Sequence, residues 1–106
     1  MKNNPMKKAI IYQQNSLAGV LEKSEGDGYQ FTYAPEYHGA PVSLTMSLDK
    51  KNYHFDRFPS FLEGLLPEGE LLQALLQRYK IDSTDYLTQL VTVGGDLVGV
   101  LTVRGE

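Results

Sequence analysis

Few side chains in this sequence are equipped for covalent chemistry. There are two histidines, His38 and His54, and no cysteine. His54-Phe55-Asp56 places a carboxylate near an imidazole, yet no third ligand is spaced to complete a metal site. No serine stands in a Gly-x-Ser-x-Gly elbow. Glu63, Glu68 and Glu70 crowd one short stretch, and glycoside hydrolysis needs two carboxylates across a cleft. A chain this small, with three helices and few strands, seldom builds that cleft. Gly94-Gly95-Asp96 has the composition of a phosphate cradle, but nucleotide loops run strand, glycines, helix. Here a helix precedes and a strand follows, so a helix C-cap is the better reading. These residues imply no catalytic site, no metal and no cofactor, hence no enzyme.

The stretch from Phe61 to Leu72 is more informative. Phe58, Phe61, Leu62 and Leu65 fall on one face at helical spacing. Pro67 ends that helix, because it lacks the amide proton and disfavours helical geometry in the residue before it. The same proline is placed to open the next helix, with Glu68 and Glu70 near its positive dipole end. Leu65 and Leu66 before the proline, and Leu71 and Leu72 after it, gather large side chains around a tight turn. Most are expected in the core, but a turn cannot bury them all. An apolar corner edged by acids fits a docking element. The candidate partner-binding residues are Leu65, Leu66, Pro67, Glu68, Gly69, Glu70, Leu71 and Leu72.

The elements that must position this corner divide the chain in two. The first half reads as β. Lys7–Gln14 and Leu17–Lys23 are strand candidates around an Asn15-Ser16 turn, and Gly19 marks a bulge or a close backbone approach. After the Ser24–Gly28 turn, Tyr29-Gln30-Phe31-Thr32-Tyr33 alternates at period two, with the aromatics toward the core. Val42–Leu48 alternates again, and Tyr53-His54-Phe55 is a short further segment. The second half reads as α. A helix to about Lys80 carries Leu71, Leu72, Leu75, Leu76 and Tyr79 as an apolar stripe. Asp82, Ser83 and Asp85 supply capping oxygens for a third helix, which Gly94-Gly95 ends in left-handed geometry. Leu97–Val103 is nearly continuously apolar, as expected of a strand covered on both sides. It meets the C-terminus directly. Either the sheet is self-sufficient with this strand central, or the chain is a piece of a larger architecture.

The predicted fold class is α+β. A small antiparallel sheet or partial barrel (residues 7–55) precedes about three helices (58–66, 68–80 and 83–93) and a closing strand (97–103). At 106 residues the chain is one domain, residues 1–106, large enough for a core but with a thin margin. The lack of cysteine excludes disulfides and fits the cytoplasm. No apolar run has the length of a membrane span, and no secretory core follows Met1–Met6. Residues 1–58 hold seven Lys/Arg against six Asp/Glu, whereas residues 59–106 hold three against seven. The acidic helical half would repel a phosphate backbone, so no direct nucleic-acid contact is expected; either a basic protein surface is its partner or it is a solvated acidic face with none.

A β-rich start is followed by Phe61, Leu65, Leu66, Pro67 and Glu68, a helix, and then Val93, Gly94, Gly95, Asp96, Val98, Gly99, Leu101 and Thr102. In that order and spacing, over residues 7–103, the pattern resembles the N-terminal segment of HipA toxin kinases. The resemblance implies an accessory subdomain without the kinase core, like the HipS antitoxins of tripartite HipBST toxin–antitoxin systems. Its implied partners are a HipT-like serine/threonine kinase and, in the same complex, a HipB-like DNA-binding protein. The implied role is inhibition of the kinase in trans, through Leu65–Leu72 with Glu68 and Glu70 facing basic residues. The alternative is an accessory subunit that completes or activates the kinase fold, or that assembles a larger toxin–antitoxin–DNA complex. Relatives often carry a bulky apolar or aromatic residue after Pro-Glu-Gly. This chain has Glu70 there and no tryptophan, which leaves a charged or steric block.

Overall fold

A computed structural model describes residues 8–24, 26–94 and 101–105. Strands β1 (Lys8–Gln13), β2 (Ser16–Lys23), β3 (Tyr29–Tyr33) and β4 (Asn52–Phe55) come first. Helices α1 (Ser60–Glu63), α2 (Gly69–Tyr79) and α3 (Tyr86–Val93) follow, and β5 (Leu101–Gly105) closes the order. The strands form one antiparallel sheet in the order β4-β3-β2-β1-β5. The α+β architecture is therefore as the sequence implies, with an open sheet and no barrel closure.

The β1–β2 hairpin turns on two residues, Gln14 (φ 50) and Asn15 (φ 68), both in the left-handed region that tight hairpins require. Two residues later the register breaks. Tyr12 pairs with Leu17 but Ile11 pairs with Gly19, so Ala18 is the extra residue of a bulge. The bulge turns Ala18 inward, where it is fully buried. Gly19 serves the close approach as well, since a Cβ there would lie 2.3 Å from the Thr32 carbonyl oxygen and 2.6 Å from the Phe31 ring.

The inner face of the sheet carries Ala9, Ile11, Leu21, Tyr29, Phe31, Tyr33 and Val103, all buried. The period-two reading of β3 thus puts its three aromatics where expected. Leu62, Leu87 and Leu90 close this core from the helical side, and α3 packs on β1 and β5. Aromatic edges lock the junctions. Tyr29 meets Phe58 at 5.4 Å and Phe31 meets Phe61 at 6.0 Å between ring centroids, both T-shaped.

Several local readings need correction. Val42–Leu48 is not a strand but a run of turns, despite its alternation. The reason is a competing partner: the buried Tyr33 hydroxyl accepts from the Val42 amide at 3.0 Å and donates to the Met46 carbonyl at 2.6 Å. Val42 and Met46 are buried by that clasp, while Leu44 stands fully exposed. The first helix is only Ser60–Glu63. Gly64 caps it, and the chain continues in tight turns through Leu66. Pro67 precedes the N-cap Glu68, so it ends one element without being the first helical residue of the next. The third helix begins at Tyr86, behind the N-cap Asp85. Gly94 keeps a right-handed conformation, φ −55, contrary to the left-handed cap expected of it. Gly95 and residues 97–100 of the expected closing strand lie outside the described residues. β5 itself is an edge strand paired to β1, not a central one, and it runs on to Gly105.

Candidate functional site

The two histidines do not converge with other chemical groups. His38 sits exposed beside an open cleft of about 560 Å³ lined by Ser16, Leu17, Ala34, Pro35, Glu36, Tyr37 and Gly39. His54 lies exposed on β4, in register with Gln30. Among the described residues, no group of three His, Asp or Glu side chains is placed to hold a metal ion.

The Leu65–Leu72 corner does form one continuous feature, but its residues divide by role. Leu65 and Leu66 are partly buried and pack against the core. They are footings. Pro67 is partly buried, while Glu68, Gly69 and Glu70 are exposed. Glu68 caps α2 with extended backbone and no side-chain hydrogen bond, and Glu70 lies in the first turn. Both carboxylates therefore stand at the helix's positive end, where negative charge is favoured. Leu71 is 74% exposed, and Leu72 is half-buried. Gly69 adopts φ 60, a conformation that a side chain would strain.

The sequence makes Leu71, Leu72, Leu75, Leu76 and Tyr79 an apolar stripe and places most of the corner leucines in the core. No residue of α2 is buried. Among the described residues, the partly buried side chains packed on the core include Leu65 and Leu66 but none from α2. The stripe is therefore only partly covered: Leu72, Leu75 and Leu76 are half-buried, while Leu71 and Tyr79, the latter 54% exposed, stand in solvent. Leu75, Leu76 and Tyr79 were absent from the predicted contact set. Their spacing from Leu71 and Leu72 was the available signal, but periodicity identifies an apolar face without saying what covers it.

The acidic surroundings extend past the helix. Asp82 and Asp85 follow α2, and each is structurally engaged. Asp82 accepts from the Thr84 amide at 2.8 Å and the Thr84 hydroxyl at 2.7 Å, which holds its carboxyl below the ordinary 3.8. Asp85 caps α3 through the Thr88 amide at 3.2 Å.

Among the described residues, one antiparallel sheet thus carries three short helices, with a partly exposed apolar helix face beside an acidic corner. The chain belongs to the HipA N-terminal domain family, whose profile matches residues 9–104. It is similar to an uncharacterized protein of Haemophilus influenzae, 26% identical over 96 residues, covering 91% of this chain and 90% of that one. It also superposes on the N-terminal domain of a HipA toxin with a TM-score of 0.73 at 24% identity, over 100% of this chain and 97% of that one. Family membership supports a HipA-related toxin–antitoxin component, and it is consistent with a protein that is not an enzyme. No helix of the described residues is long and apolar enough to cross a membrane.

Proposed function

We propose that this protein is an antitoxin that binds a HipT-like serine/threonine kinase in trans and inhibits it in the cytoplasm. The observation that carries the reading is the α2 stripe beside the Leu65–Leu72 corner, which contributes no buried residue to the core and leaves Leu71 and Tyr79 exposed. A family domain that lies ahead of a kinase core has in that stripe a face suited to the core. Here the partner would be a separate polypeptide. Burying a leucine against such a partner contributes about 1.5–3 kcal/mol, so a handful of these side chains suffices for a specific complex.

Glu68 and Glu70 set polarity and approach. Both are exposed at the N-terminal end of α2. Facing basic residues beside the kinase cleft, they would speed association and fix orientation more than they add to affinity. Glu70 then obstructs substrate entry or cleft closure by charge and bulk. A HipB-like DNA-binding protein joins the same complex, and no nucleic acid contacts this chain.

Co-expression with the cognate kinase tests the reading. Growth is expected to be restored, and purified kinase to lose phosphorylation activity when the chain is added. A rise in kinase activity would identify an accessory subunit that completes the kinase fold. No change in either assay would reject both roles.

A further inference from the structure

α2 has unusually little holding it in place. Isolated helices shorter than about 12–15 residues are marginal in water, and α2 has 11 residues. None of its side chains is fully buried, and Leu72, Leu75 and Leu76 are only half-buried. Its N-cap, Glu68, makes no side-chain hydrogen bond. Its last turn closes on Lys80 at φ 55, ψ 48, where the amides of Lys80 and Ile81 both reach the Leu76 carbonyl. That geometry suits glycine, and a side chain there is disfavoured. Helix α3 shows the contrast. It is shorter, at 8 residues, but it buries Leu87, Gln89 and Leu90 and has the Asp85 cap. The Gln89 side-chain amide also donates to the carbonyls of Asp82 and Ser83, at 3.3 and 3.1 Å. The loop leading out of α2 is thus anchored at its far end by buried groups, while α2 itself contributes no fully buried side chain.

We propose that α2 is a locally opening unit of the free chain, substantially unwound at equilibrium, and that docking on the kinase orders it. This rests on the reading of α2 and the corner as the kinase-binding face. Opening of such a segment does not require the sheet to unfold, because the segment shares few buried contacts with the core. The observed affinity is then the intrinsic affinity reduced by the fraction of chains with α2 formed. The device makes the antitoxin's grip tunable by anything that stabilises or melts this helix.

Hydrogen exchange on the full chain, alone and with the kinase, tests this. In the free chain the amides of residues 72–81 should exchange within about tenfold of unstructured rates, while amides of β1, β2 and β3 are protected about a thousandfold or more. Added kinase should protect residues 72–81 to the level of the sheet. Lys80→Gly, by favouring the helix about fivefold, should slow α2 exchange in the free chain and tighten kinase binding by about twofold each, the two factors multiplying to about five. Sheet-like protection of α2 in the free chain would overturn the proposal. So would α2 protection that rises with the chain's own concentration, since a second copy would then be the ordering surface. Slower exchange in Lys80→Gly without tighter binding would refute the coupling. Fast α2 exchange in a chain that binds no kinase would refute the kinase as the ordering partner, and the function proposed above with it, while upholding the open helix.

Discussion

Gly94 lies against Val103 so closely that a Cβ on the glycine would stand 2.1 Å from the Val103 carbonyl oxygen. The end of α3 is thereby set directly on the edge strand β5. The obstacle is backbone, so it cannot swing aside. Gly94→Ala is expected to destabilise the fold by about 1–3 kcal/mol, read as a lower urea midpoint. Gly64→Ala, with nothing within 4 Å of its added carbon, is expected to leave the midpoint unchanged or raise it.

Leucines on the two sides of Pro67 should respond oppositely. Leu62 is fully buried, and Leu62→Ala should cost about 2–5 kcal/mol. Leu71→Ala should change stability by less than about 0.5 kcal/mol, because the side chain is mostly in water. Kinase affinity should reverse the order of interest: Leu71→Ala should weaken binding without moving the unfolding transition. Calorimetric titration beside chemical denaturation separates the two effects.

Charge reversal at the corner gives a third expectation. Glu70→Lys places a cation in the first turn of α2 and should weaken kinase binding most at low salt, through the association rate. The sheet's unfolding transition should stay in place. Equal affinity for Glu68→Lys, Glu70→Lys and the parent at all salt concentrations would move the contact elsewhere.

The Tyr33 hydroxyl clasps both the Val42 amide and the Met46 carbonyl. Tyr33→Phe leaves those two backbone groups without that partner and should cost about 1–3 kcal/mol. Faster hydrogen exchange at the Val42 amide would show that the loss is in this loop.

Alkaline stability follows from Tyr29. Burial, then the nearby Asp85 carboxylate, raises its hydroxyl pKa above the ordinary 10.0. The folded state thus holds its proton where the unfolded state releases it. The contribution is fully present below about pH 10 and is lost as pH rises through the folded value. Denaturant midpoints should fall above pH 10, and Tyr29→Phe should flatten its share of that fall.

Much of the architecture was written locally. The alternation of Tyr29, Phe31 and Tyr33, the bulge glycine Gly19 and the capping carboxylate Asp85 each act on near neighbours, so sequence fixes their roles. The stretch Val42–Leu48 carried an equally good alternating pattern and still failed to become a strand. A hydroxyl nine residues away from Val42 supplied hydrogen bonds that a neighbouring strand would otherwise have given. Gly94 was legible as a special position, but the reason is proximity to Val103 and not a left-handed cap.

For the site, composition and spacing alone determined that a leucine-rich helix follows an acidic corner. Amphipathicity is a property of one helix, and it is the same whether the stripe meets its own core or another molecule. Only the tertiary structure shows which leucines the core takes, because the sheet's inner face is closed by Leu62, Leu87 and Leu90, while Leu72, Leu75 and Leu76 stay outside that core and half-buried.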